Sequence, residues 1–292
     1  MNFNRVITHD TTFHADDVFA VAMLQTAMDA YHGFPFDLFT GYYNVNENHF
    51  RGFELFRTRN PEILAAGLAD PQILVLDVGG VYDPSMLNFD HHQDMNLMSA
   101  AGLVYEHFKD LICPRPDAQP FFEKFISAID AMDTNRNNIY GVWATLPSGF
   151  RNVSSIIGGF NRDVTDPDQQ FIQFRKAVEF AMVIIGNEVY NSERKAEFEA
   201  EYHRRVILPN NVAVFEEYSG IWKDKTDHVF AVMPHANGWQ IQSRDTTIDV
   251  VPESIAHCPG FIFRHKSGFM AVVKDKRVAI WFAEALYPHL PE

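Results

Sequence analysis

Apolar spacing changes character several times along this chain, and each change marks a boundary. Residues 4–8 carry Val6 and Ile7 and read as a short buried strand. A polar loop follows at 9–15. From Asp16 the apolar positions Val18, Ala22 and Leu24 continue without a breaker to Gly33, which predicts a helix opened by Asp16. Residues 33–60 mix aromatics with turn formers, and 54–58 is their best strand candidate. After a short helix at 61–69, Ile73-Leu74-Val75-Leu76 is a continuous apolar run, the pattern of a central parallel strand covered on both faces. It ends in Asp77, ahead of Gly79-Gly80. Helices are then expected from Ala100 to about Lys109, with Ser99 as N-cap, and over 121–131. Phe122, Phe125, Ile126 and Ile129 mark the buried face of the second.

Residues 134–168 are rich in Asn, Gly and Ser and read as a long excursion. Pro167 starts the longest helical pattern, carried by Phe171, Phe174, Val178, Ala181, Ile185 and Val189. From Val206 the period shortens. Strand candidates lie at 212–215, 228–233, 239–242, 260–263 and 269–273, before a last helix at 276–286. The expected fold class is α/β, with a parallel sheet flanked by helices over 1–165 as the catalytic domain. A long linking helix over 166–206 would join it to a smaller α+β domain over 207–292 that binds substrate.

Composition narrows the function classes. At 292 residues, 47% hydrophobic and 14% aromatic, the chain can build real cores, so disorder is not a candidate. A formal net charge of −14 argues against a broad basic face for duplex DNA or anionic membranes. Cys113 and Cys258 are too few for a disulfide framework or a structural zinc site, which points to a reducing, cytoplasmic compartment. No apolar run reaches the length of a membrane span, and a metal cluster beginning at His9 leaves no room for a cleavable leader.

Against that background stand dispersed clusters of imidazole and carboxylate. His9, His14 and Asp16 can converge in a loop at a strand end. Asp77 tips the next strand, Asp90-His91-His92 follows, and Asp130 or Asp133 comes from a helix end. Each residue alone reads as an ordinary cap or turn former; the joint pattern points to metal. A set of histidines and carboxylates without thiolate suits Mn²⁺, and less strictly Mg²⁺ or another first-row ion. The set exceeds the needs of one tetrahedral ion and fits two ions about 3.5–4 Å apart. Asp77, on a rigid strand tip, is the expected bridge. Asp90 and His92 are the candidate catalytic pair, with His92 left to contact a phosphate or to move a proton.

The same residues carry a family resemblance. Thr8-His9-Asp10 through Asp17-Val18, Asp77-Val78-Gly79-Gly80-Val81-Tyr82-Asp83-Pro84, Phe89-Asp90-His91-His92-Gln93 and Ser99 through Tyr105 resemble the melanocyte-proliferating-gene exonuclease family, a relative of the DHH phosphoesterases. The resemblance implies a DHH-type sheet, a binuclear metal centre and phosphodiester hydrolysis. The implied activity is 3′→5′ exonuclease action on single-stranded RNA or short oligonucleotides. Carried over, His9, His14 and Asp77 would hold one ion, with His14 standing where an aspartate is usual. Asp16, Asp77, His91 and Asp133 would hold the other, His92 would face substrate, and Asp17 would sit behind the ligands.

The C-terminal part departs from that pattern. The family's Gly-Phe-Ile-Gly-Gly-Asn-Lys-Thr segment is here Gly268-Phe269-Met270-Ala271-Val272-Val273-Lys274-Asp275. Losing the glycines removes a close backbone approach to phosphate. Arg264, His265, Lys266 and Lys274 become the candidate substrate contacts. Two alternatives stay in view: hydrolysis of a small phosphate or pyrophosphate, and a non-catalytic module that keeps its metal. A homodimer is left open.

Overall fold

β1 (Arg5–Thr8) leads into α1 (Ala15–His32); a hairpin of β2 (Tyr42–Asn44) and β3 (His49–Arg51) precedes β4 (Glu54–Arg57). Then come α2 (Pro61–Ala69), β5 (Ile73–Leu76), β6 (Tyr82–Asp83) and β7 (Asn88–Phe89). Five helices follow: α3 (Ala100–Ile112), α4 (Gln119–Thr134), α5 (Ile139–Trp143), α6 (Val153–Gly158) and α7 (Pro167–Arg204). These positions come from a computed structural model that describes residues 3–33, 39, 42–44, 49–51, 54–208, 211–225, 228–245 and 250–286. Much of 33–60, hard to place from sequence, lies outside the described residues.

The sheet order is β4-β1-β5-β7-β6, parallel throughout except for β6, which runs antiparallel to β7. All of β5 is buried, as its unbroken apolar run requires. α1 is buried on nearly every side from Ala15 to Met28, the state of a helix apolar all round, and packs on α3. On α2, Gly67 permits a close approach: a Cβ there would sit 2.7 Å from Cδ1 of Ile7. Along α7, Phe174, Ala177, Val178, Ala181 and Ile185 form the buried stripe.

α4 outruns the expected end at residue 131, so Asp133 stands in its last turn. Asn135, Asn137 and Asn138 then all take positive φ, of 52°, 57° and 54°. Asn tolerates this left-handed region better than other residues with a Cβ. The consecutive turns bring α5 back onto α4, where the Tyr140 hydroxyl donates to the Met132 carbonyl. The asparagine-rich excursion is therefore a built element.

By its internal contacts the chain divides into two units, Met1–Ser192 and Glu193–Glu292, with the boundary inside α7. The second contains β8 (Val206–Ile207), β9 (Ala213–Val214), β10 (Phe230–His235), β11 (Gly238–Ser243), β12 (Phe261–Arg264), β13 (Met270–Val273) and α8 (Lys276–Leu286). Its sheet order is β12-β13-β11-β10-β9-β8, with β9 and β10 the parallel pair. α8 buries Ala279, Phe282 and Ala283 against Val232, Ile241 and Val273. Ala271, Val272 and Val273 are buried in β13, paired to β11 and β12 on either side. That run is a central strand of an α+β layer. Among the described residues no helix is long and apolar enough to cross a membrane.

Candidate metal centre

Three adjacent parallel strands deliver the chemistry at their carboxyl ends, where open α/β sheets place ligands. β1 runs into His9, β5 into Asp77, and β7 into Asp90-His91-His92. Asp77 has φ 56°, a left-handed conformation that costs a non-glycine residue about 1–2 kcal/mol. Its N–H donates to the Phe89 carbonyl at 3.1 Å, and Gly79, at φ 99°, continues the turn. The backbone bends so that the carboxylate points across the strand tips.

Asp77 then faces two histidines with two different oxygens. Its Oδ2 lies 3.2 Å from His9 Nε2 and its Oδ1 lies 3.3 Å from His91 Nε2. Nδ1 of His9 is 2.9 Å from the Asp10 carbonyl, which can only accept, so Nδ1 carries the proton and Nε2 is aimed inward. His91 Nε2 also lies 3.3 Å from Asp133 Oδ2 and 3.8 Å from Asp16 Oδ2. Ligand atoms of His9, Asp17 and Asp77 lie within 4.8 Å of one another, as do those of Asp16, His91 and Asp133, and those of Asp77, Asp90, His91 and His92.

The hydrogen bonds sort the carboxylates into those already employed and those left open. Asp17 caps α1, accepting from the His14 N–H at 2.8 Å, so the helix is not opened by Asp16 as expected. Asp130 Oδ1 accepts from the Ser99 N–H at 2.6 Å and thereby caps α3. Ser99 occupies the N-cap position, but its own side chain makes no capping bond. Asp90 is saturated: Oδ2 accepts from Gly80 N–H at 2.6 Å, and Oδ1 meets the N–H groups of His91 and His92 and, at 2.6 Å, Nδ1 of His92. By contrast both oxygens of Asp16, Oδ1 of Asp77 and Nε2 of His91 are buried with no hydrogen-bond partner.

Such orphaned ligand atoms are costly unless a cation meets them. Burial, with Asp77, Asp133 and Asp17 nearby, pushes the Asp16 carboxyl well above its usual range. Burial also lifts Asp17 to about 7, against the pull of His9, and raises Asp133. Asp77 goes the other way. Burial opposes its ionisation, but the facing imidazoles of His9 and His91 hold it below the usual carboxylate range. The bond to Asp90 lifts His92 to about 8. These ligand atoms fit a hard or borderline divalent ion.

The remaining candidates sit elsewhere. His14 is exposed, its ring centre 6.1 Å from that of His9, and it belongs to none of the three tight groups. Arg264, His265, Lys266 and Lys274 lie in the second unit, around β12 and β13. Arg264 donates to the Val251 carbonyl at 2.6 Å, His265 Nδ1 is 2.8 Å from Ser267 Oγ, and both lysines are exposed. Arg57 was not singled out by sequence. Its guanidinium stacks on Phe13 and Phe174 and donates to the Thr11 carbonyl at 2.9 Å, which holds the loop between His9 and His14. Its only sequence signal was a cation ending a strand that neighbours that loop.

The chain is similar to several known proteins. Residues 5–208 match the MYG1_exonuc family model, described as an uncharacterised protein family, UPF0160. The chain is 29% identical to a MYG1 protein of Schizosaccharomyces pombe over an alignment 204 positions long, with 60% of this chain and 55% of that protein covered. It is 25% identical to the MYG1 exonuclease of Homo sapiens, with 96% of this chain and 85% of that one covered. A MYG1 protein of Chlamydia pneumoniae is 24% identical, with 91% and 90% covered. Among solved structures, RecJ of Thermus thermophilus in complex with Mn²⁺ aligns at 16% identity and a TM-score of 0.30, covering 99% of this chain and 52% of that one. Because one family model spans β1 through β8, the chain belongs to the MYG1 family.

Proposed function

We propose that this protein is a divalent-metal-dependent phosphodiesterase that removes nucleotides from the 3′ end of single-stranded RNA or short oligonucleotides. The observation that carries the reading is the set of buried, unpartnered ligand atoms on Asp16, Asp77 and His91 at the strand ends. The human relative's name, MYG1 exonuclease, supports the nucleolytic direction. In this reading Asp16, His91, Asp133 and Asp77 would hold one ion, and His9 with Asp77 would hold a second, with Asp17 within reach and His14 at the edge. Mn²⁺ is the ion that best matches the ligand set.

Divalent ions in such a site supply Lewis acidity toward a phosphoryl oxygen and acidify water. The protein's own groups do the rest. Asp77 keeps the two halves of the ligand set in register from a rigid strand tip. His92, 63% exposed and paired to Asp90, is protonated near neutral pH and presents a cationic donor to a phosphate oxygen or a leaving hydroxyl. Asp90 acts through His92 and the backbone around it.

The test is release of mononucleotides from a short single-stranded RNA with Mn²⁺, abolished by EDTA and by Asp77→Ala. No release from RNA, DNA or dinucleotides under those conditions would defeat the proposal. A second reading, hydrolysis of pyrophosphate or another small phosphate, is favoured by the buried β13 strand that replaces the glycine segment. Phosphate release from pyrophosphate without oligonucleotide cleavage selects it.

A further inference from the structure

A cavity of about 370 Å³ opens beside the centre, between the start of α1, the end of α4, α5 and α6. Asp16 and Asp133 form part of its wall, so it shares two side chains with the metal-ligand group around His91. Tyr140 and Trp143 on α5 add aromatic rings, and Ile129 and Met132 add apolar surface. Among the described residues that line it there is no lysine or arginine. Its size lies at the lower end of small-molecule sites. Ser154 and Ser155 are the hydroxyl-bearing residues that α6 adds to the lining. Asn161 is not available to a ligand, because its amide is committed to both backbone groups of Phe13.

We propose that this cavity is a nucleoside subsite that takes the base of the terminal nucleotide while its phosphate lies at the metal centre. The inference rests on the nuclease reading and deepens it. Among the described lining residues His14 is the one group able to carry positive charge, set against the carboxylates of Asp16 and Asp133, so a second phosphate or a pyrophosphate arm is disfavoured there. A flat uncharged heterocycle suits the aromatic and apolar wall formed by Tyr140, Trp143, Ile129 and Met132. Stacking on aromatic rings tolerates any base, so the subsite distinguishes base from no base more than it distinguishes sequences. Trp143 is the specificity-determining residue in this assignment.

Two measurements on the full chain test it. In EDTA, adenosine is titrated while tryptophan emission is followed; inorganic phosphate is the control. Quenching by adenosine that disappears in Trp143→Phe is the expected result. With Mn²⁺, kcat/KM is compared for an oligonucleotide ending in a normal nucleotide and for one ending in an abasic sugar. The wild type should prefer the base-bearing end by on the order of 10- to 100-fold. Trp143→Ala and Gly158→Leu should collapse that ratio toward unity. Gly158 lines the cavity and a Cβ on it meets nothing within 4 Å, so the leucine enters without a clash at its first carbon. Cleavage of both ends at equal rates, with no adenosine quenching, overturns the subsite and leaves the nuclease reading standing. Hydrolysis of pyrophosphate alone overturns the nuclease reading, and adenosine quenching then judges the cavity separately.

Discussion

Asp90 illustrates how a residue of the right type in the right motif can serve a different purpose from its neighbours. Both its oxygens are occupied by Gly80, His91 and His92, so it orients the loop and polarises His92. Asp90→Asn keeps the shape but replaces one acceptor oxygen by a donor amide. We expect activity to fall about 10- to 100-fold, the usual cost of losing a partner that orients a site residue. The sign of the pH effect is also set. The carboxylate raises His92 to about 8, so its loss lowers that value, and the alkaline limb of kcat/KM should move to lower pH. An unmoved limb would separate His92 from catalysis. The motif itself was legible in sequence, but the saturation of Asp90 was not.

At the scale of elements, α4 presents two aspartates one turn apart with opposite duties. Asp130 reaches back to cap α3 and lies 3.4 Å from Arg136 Nη1, whereas Asp133 faces His91. Asp130→Ala should cost stability, about 1–2 kcal/mol for a lost cap, seen as a lower unfolding midpoint in urea. Asp133→Ala should weaken metal binding by calorimetry while leaving that midpoint of the metal-free protein unchanged or higher, because it removes a carboxyl raised by burial. If both variants lose metal and stability equally, the division of labour is wrong. The periodicity of α4 was readable from Phe122, Ile126 and Ile129, yet it left Asp130 and Asp133 equivalent. The family resemblance favoured Asp133; the physical reason, that Ser99 occupies Asp130, lies between residues distant in sequence and adjacent in space.

For the whole molecule, the buried acids make stability depend on pH and metal together. Asp17 has a usual value of 3.8 and is raised to about 7 in the folded state. It therefore contributes stability that is present below 3.8 and lost as pH rises through about 7. His92 acts in the same sense, between 6.5 and about 8. The metal-free protein should thus melt at progressively lower temperature from pH 5 to pH 8. Divalent ions replace those protons, so the shift in Tm at a fixed Mn²⁺ concentration should grow over the same range, an ion at 100 times its Kd adding about 2.7 kcal/mol of stability. A metal-induced shift that shrinks with rising pH would contradict this. What the sequence by itself determined was the class of elements and the inventory of ligand atoms, because hydrophobic periodicity and ligand chemistry are local. Thr8-His9 and Leu76-Asp77 each announce a strand followed by a polar tip without reference to the rest of the chain, whereas the two-residue strand β7 ahead of Asp90 does not. Tertiary structure alone decided the duty of each carboxylate, since a hydrogen bond offered from another strand or helix spends it or leaves it open. It also decided that the left-handed turns from Asn135 to Asn138 bring Tyr140 and Trp143 to the cavity beside Asp16 and Asp133.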